Sequence, residues 1–166
     1  MNIREAKSSD VKDITKVHVE SWKTTYNNIF SEEFLETINF DKRYKLWEKI
    51  LNHSGDELVY LLEFDNKVVG FLSAGPAREE SFDYEAEIYA LYLLEEYQNK
   101  GLGQKLFETA LDYIKNKGYE SIYVWVLKDN PSVEFYKKIG GKKIRDSKIE
   151  IADNLYEEIA FGWDHL

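Results

Sequence analysis

Between Tyr97 and Leu106 the chain reads Tyr-Gln-Asn-Lys-Gly-Leu-Gly-Gln-Lys-Leu, and these residue types in this order suit the binding of linked phosphates. Gly101 and Gly103 let the backbone approach a ligand closely and take angles that other residues avoid. A helix starting here points its first amides outward, and its dipole favours an anion. Lys100 and Lys105 add positive charge, so a pyrophosphate suits the turn. Two other phosphate motifs do not fit. A Walker-type loop needs Gly-Lys followed by Ser or Thr, and a dinucleotide fingerprint needs a third glycine where Leu106 stands. The same residues also read as a plain helix start softened by two glycines.

Other chemistries find less support. Without cysteine there is no disulfide, no thiolate metal site and no cysteine nucleophile. His18, His53 and His165 lack metal-ligand spacing, and His18 reads as a satisfied histidine on a helix, so no metal is expected. A Gly-x-Ser-x-Gly elbow is missing, which disfavours a serine hydrolase. Lys137, Lys138, Lys142, Lys143 and Arg145 read as a solvated basic face, part of which is able to meet a phosphate.

The elements that position the turn follow from periodicity. Residues 2–6 form a strand; Val11, Ile14, Val17, Ser21 and Trp22 mark an amphipathic helix over about 10–25, capped near Ser8-Ser9-Asp10. More helix starts at Ser31-Glu32-Glu33 and runs past Trp47 to Leu51. Leu58–Leu62 and Lys67–Ser73 form a hairpin across Asp65-Asn66, and residues 76–84 form a polar loop. Glu87–Leu93 is a nearly all-apolar, central strand. A helix from Leu102 stops near Gly118, and a strand at Ser121–Leu127 follows. A short helix at Pro131–Ile139 and strands near 142–150 and 155–163 complete an α/β (α+β) mixed sheet with helices on its faces.

The 166 residues fit one domain, 1–166, with no repeat or linker. Hydrophobic residues make up 43% and aromatics 15%, enough for one core. The start of the chain is charged and lacks an apolar signal core, and no apolar run reaches the ~20 residues of a membrane span. A soluble, cytoplasmic protein away from membranes is expected, in keeping with the lack of cysteine. The net charge of −9 argues against nucleic acid and favours a cationic small molecule, although acidity also serves solubility alone.

Three ordered motifs together resemble the GNAT superfamily of N-acetyltransferases. Gln98-Asn99-Lys100-Gly101-Leu102-Gly103 is similar to its Gln/Arg-x-x-Gly-x-Gly/Ala signature, and Glu87–Leu93 resembles its fourth strand. Asn130-Pro131-Ser132 with Phe135-Tyr136-Lys137-Lys138-Ile139-Gly140 resembles its Asn…Phe-Tyr-x-x-x-Gly segment. The element order matches over nearly the whole chain.

The resemblance implies a mostly antiparallel sheet of about seven strands whose fourth and fifth strands splay apart. It implies acetyl-CoA as co-substrate, with its pantetheine arm lying in that gap beside the fourth strand. Backbone groups of Leu91 and Leu93 then bond the acyl carbonyl and the arm, and the amides of Gln98, Asn99, Lys100, Gly101, Leu102, Gly103 and Gln104 hold the pyrophosphate. Asn130 reaches the cofactor, Tyr136 contacts it and protonates the leaving thiolate, and the Leu91 amide stabilises the oxyanion.

An alkylamine needs to lose a proton, since its reference pKa is about 10.4. By the same resemblance Glu87 is the candidate base, and strand alternation places Glu87, Tyr89, Leu91 and Leu93 on one face. Glu87 also reads as a glutamate at the exposed end of its strand. Trp22, Tyr26, Tyr89 and the loop Glu79-Glu80-Ser81-Phe82-Asp83 are candidates for the acceptor pocket, while Trp22 equally continues the apolar stripe of its helix. The implied activity is transfer of an acetyl group to a primary amine of a small molecule by direct attack in a ternary complex. A protein N-terminus or lysine as acceptor, and a non-catalytic acyl-CoA-binding module, are the alternatives. Monomer and homodimer both fit the family.

Overall fold

A computed structural model describes residues 1–53, 55–79 and 83–166. β1 (Asn2–Glu5) leads through α1 (Val11–Thr25), α2 (Glu32–Glu36) and α3 (Phe40–Asn52) to the hairpin of β2 (Leu58–Phe64) and β3 (Lys67–Pro76). β4 (Ala86–Leu93), α4 (Leu102–Asn116), β5 (Ser121–Leu127), α5 (Ser132–Lys138), β6 (Lys142–Ile151) and β7 (Asn154–Asp164) follow. The seven strands form one sheet in the order β1-β2-β3-β4-β5-β7-β6, antiparallel except for the β4–β5 pair. This is the mixed, mostly antiparallel sheet expected from the sequence.

One boundary differs. The helical stretch expected from Ser31 onward breaks at 37–39, so three helices and not two separate β1 from β2. The break is local chemistry. Thr37 Oγ1 donates to the Phe34 carbonyl at 2.7 Å, and Asn39 Oδ1 accepts the Lys42 amide at 3.0 Å as a new N-cap.

Apolar side chains cover both faces of the sheet. On one face Leu72, Ile88, Leu93, Ile122, Val124 and Phe161 pack under α4 and α5, through Leu106, Phe107, Ile114 and Tyr136. On the other, Val59, Leu61 and Phe71 pack under α1 and α3, through Val11, Ile14, Val17 and Trp47. The expected satisfied histidine sits in this second layer. His18 Nδ1 accepts from Trp47 Nε1 at 3.0 Å, and burial, with the Arg43 charge, pushes its pKa down to about 3. No helix of the described residues is long and apolar enough to cross a membrane.

Two features of β4 shape everything that follows. Its parallel ladder with β5 stops after Ala86↔Ile122, Glu87↔Tyr123 and Ile88↔Val124, although the strands continue to Leu93 and Leu127. The fourth and fifth strands therefore splay. Against β3, the register shifts: Ser73 pairs with Ala90 but Ala74 with Ile88, which leaves Tyr89 as an extra residue. Such a bulge reverses the side-chain alternation from that point onward.

Candidate active site

The splay opens a groove of about 550 Å³ that runs from β4 to the turn before α4. Beyond Ile88 the β5-facing edge of β4 has no strand partner among the described residues. Its amides and carbonyls have no sheet partner there and are able to bond an extended ligand as another strand would, although the Leu93 carbonyl already accepts from Gln98 Nε2. At the far end, Asn99 (φ 56°) and Gly101 (φ 75°) both take the left-handed conformation that lets the chain turn tightly into α4. A Cβ at position 101 meets nothing within 4 Å, so glycine is needed there for its backbone angle and not for room. At Gly103 a Cβ would stand 3.4 Å from the Phe135 ring of α5, in ordinary contact, so neither room nor backbone angle demands glycine there.

Ser31 caps α2 and Asn39 caps α3 with a side-chain oxygen. α4, which begins at Gly101, has no side-chain cap, like α1 and α5, but it lacks the first-turn acidic residue that α1, α2, α3 and α5 each carry. Its leading amides and the positive end of its dipole face the groove unopposed, which suits a pyrophosphate.

Leu91, Leu93, Gln98, Asn99, Gly101, Gly103, Gln104 and Asn130 all line this groove. Gln98 is also structural, since its Nε2 donates to the Leu93 carbonyl at 3.0 Å and ties the turn to the strand end. Two residues of the turn send their side chains elsewhere. Leu102 is 7% exposed and belongs to the core under α4, while Lys100 places its ammonium 5.6 Å from the Tyr97 ring. Only their backbone stays available to the turn. From the basic face, Lys138 reaches the groove wall, whereas Lys137 pairs with Glu134 and Lys143 with Asp146.

Beside the groove lies a second cavity of about 250 Å³. Trp22, Tyr26, Tyr89 and Tyr136 line it, with Phe30, Tyr92 and Trp125. The two spaces share Leu91, Tyr92, Asn130 and Ser132, so they meet where β4 and β5 part. Asn130 is buried at this junction, where its Oδ1 accepts the Ser132 amide at 2.8 Å and fixes the start of α5. Tyr26 and Tyr92 join their hydroxyls at 3.0 Å. Burial raises the Tyr26 phenol, offset in part by its hydrogen bonds with Tyr92 and Asn130. Burial holds the Tyr136 phenol well above its ordinary value, helped by Tyr26, so it keeps its proton at neutral pH. Tyr136 faces this second cavity at the junction and is not part of the groove wall.

Glu87 does not share a face with Leu91 and Leu93. The bulge at Tyr89 turns Leu91 and Leu93 to the α4 side with Ile88, and leaves Glu87 beside Tyr123 on the other side. Nor is Glu87 at an exposed end: it is 3% exposed. Its carboxylate accepts from the Arg78 amide at 3.2 Å, from Arg78 Nε at 3.0 Å and from the Tyr123 hydroxyl at 2.9 Å. It lines neither cavity. Tyr89 reaches the second cavity by its ring, while its hydroxyl donates to the Pro76 carbonyl at 2.7 Å and Arg78 lies 4.3 Å over its face. Of the acidic loop expected near the acceptor, Glu79 accepts from Trp125 Nε1 at 3.2 Å, and Glu80, Ser81 and Phe82 lie outside the described residues.

Comparison with known proteins bears directly on this geometry. The model of the acetyltransferase (GNAT) family matches residues 19–141. The chain belongs to that family. This N-acetyltransferase is 36% identical over its whole length to an uncharacterized N-acetyltransferase, YuaI, of Bacillus subtilis, covering 94% of that protein. It is 32% identical to a spermidine N(1)-acetyltransferase of Thermoplasma acidophilum, over 89% of this chain and 91% of the relative. The crystal structure of the PaiA N-acetyltransferase of Thermoplasma acidophilum in complex with coenzyme A superposes with a TM-score of 0.79 at 27% identity, covering 99% and 98% of the two chains. The enzyme is thus an acetyl-CoA-dependent acyltransferase of the GNAT superfamily.

Sequence reasoning passed over Tyr92, Ser132, Trp125 and Glu158, which all line the second cavity. Tyr92 lies in the recognised strand and Ser132 in the recognised Asn130-Pro131-Ser132 segment, while Trp125 and Glu158 come from separate strands that only the folded sheet brings together.

Proposed function

We propose that the chain transfers the acetyl group of acetyl-CoA to a primary amine of a small molecule, by direct attack while both substrates are bound. The observation that carries this reading is the meeting of a backbone-lined groove and an aromatic cavity at Leu91, Tyr92, Asn130 and Ser132. The groove accommodates the donor along the open edge of β4 and the uncapped start of α4. The cavity accommodates the acceptor, and the spermidine acetyltransferase relative supports a small amine.

In this reading the neutral amine nitrogen attacks the thioester carbonyl carbon. A C–N bond forms and the C–S bond breaks. The Leu91 amide stabilises the charge that develops on the carbonyl oxygen. Tyr136, protonated by virtue of its burial, delivers its proton to the departing sulfur. The proton released from nitrogen passes to water, and a proton returned from solvent restores the Tyr136 phenol. The excess of acid over base on the chain draws a cationic amine toward the site. A cysteine-free chain fits a cytoplasmic setting.

The test is a screen of amines read by release of free CoA thiol, alongside thermal melting with acetyl-CoA. Acetyl-CoA is expected to raise the midpoint by linkage, and at least one small amine is expected to release thiol. Stabilisation without thiol release from any amine would leave a binding module and end the enzymatic reading.

A further inference from the structure

Among the described residues lining the aromatic cavity, one carries a charge: Glu158 of β7. It stands opposite Leu127 of β5 and Ser147 of β6, with its side chain on the α1 face of the sheet. It is half-buried and has no hydrogen-bond or ion-pair partner among the described residues. A carboxylate drawn out of water without a partner is costly unless something else compensates it. Burial, and the neighbouring charge of Glu79, raise its pKa, as expected of a carboxylate that lacks a cation. Glu79 also steers the cavity wall, since it accepts the Trp125 indole N–H at 3.2 Å.

The place of Glu158 separates two roles. Paired strands lie about 4.8 Å apart, and β4 and β5 part beyond Ile88 and Val124, so at Glu158 β7 stands more than roughly 10 Å from the β4 edge, with β5 between. Direct proton transfer needs about 3 Å. An amine held only by Glu158 would therefore stay protonated and away from the thioester. A cation held there is productive only if the molecule carries a second nitrogen that reaches back to Leu91. Between the two points the walls are Trp22, Tyr26, Trp125 and Val126, surfaces that suit methylenes and attract cations through ring faces.

Resting on the acetyl-transfer reading, we infer that Glu158 is the specificity-determining carboxylate of the acceptor site, and that the preferred acceptor is a primary amine carrying a second cationic nitrogen along a short aliphatic chain. The far ammonium pairs with Glu158, the chain lies along the rings, and the near amine, deprotonated, faces the splay.

The experiment compares kcat/KM for a series of α,ω-diaminoalkanes with length-matched n-alkylamines, in wild type and in Glu158→Gln. Wild type is expected to prefer the diamine by about ten- to hundredfold, the worth of one charge-assisted contact. In Glu158→Gln that preference collapses, mainly through KM for the diamine, while KM for acetyl-CoA stays put. Glu158→Lys shifts preference toward amines ending in a carboxylate. Equal use of diamines and alkylamines by wild type would overturn the inference whatever the variants do. An unchanged preference in Glu158→Gln would overturn it as well. If no amine in either series releases thiol, the transfer reading itself falls and takes this inference with it.

Discussion

The groove and the cavity meet at shared residues yet are built from different materials. The groove is backbone: an unpaired strand edge, two left-handed residues and the bare first turn of α4. The cavity is side chains: aromatic rings from α1, β4, β5 and α5, closed by Ile149 of β6 and Glu158 of β7. A backbone site tolerates almost any side chain that leaves the chain path intact, and so it suits a donor common to a whole family. A side-chain site changes with each substitution, and so it suits an acceptor that differs between relatives.

The sharpest way to break this contrast is at Gly101. Nothing occupies the space a Cβ would take, so Gly101→Val acts through the backbone angle alone, at a cost on the order of 1–2 kcal/mol or more. Gly101→Val is expected to abolish the rise in melting midpoint on adding acetyl-CoA, and turnover with it. A preserved rise would show that the turn does not hold the donor through its backbone. Tyr136→Phe probes the other side of the junction. Loss of the proton donor is expected to lower kcat by about a hundredfold while the acetyl-CoA-induced rise remains. Wild-type kcat in that variant would retire Tyr136 as the acid.

A smaller effect concerns acid. His18 lies beneath the second cavity, stacked 5.6 Å from the Tyr92 ring, and its pKa is held down at about 3 by burial. The unfolded chain binds a proton there below about pH 6.5, and the folded chain does not until about pH 3. Stability is therefore lost as pH falls through that window, by about 1.4 kcal/mol per unit. Melting curves across it should show a slope that His18→Gln reduces; equal slopes would mean that the imidazole is not the group responsible.

How much was legible follows the same division. The residue pattern marked the strands and the helices α1, α4 and α5 wherever they bury apolar residues, as β2 to β5 and β7 do; β6, which buries none, was marked by position alone. The break at Thr37 and Asn39 was missed because it depends on two short side-chain bonds inside an otherwise helical pattern. Gly101 announced the turn, because a left-handed residue before a helix leaves a trace in residue type. Glu87 was misplaced, because alternation assumes an unbroken register and nothing in Glu87–Leu93 marks the extra residue at Tyr89. Glu158 carried no trace at all, being one acid among many on an edge hairpin.

By itself, the sequence determined the chain's family, its sheet-and-helix order and the glycine turn that lines the groove, since these depend on local backbone preference and on the burial of regular faces. The tertiary structure alone decided which side chains line the second cavity. That choice turns on a one-residue bulge in β4 and on strands far apart in the chain meeting across β5, and neither is encoded by any short run of residues.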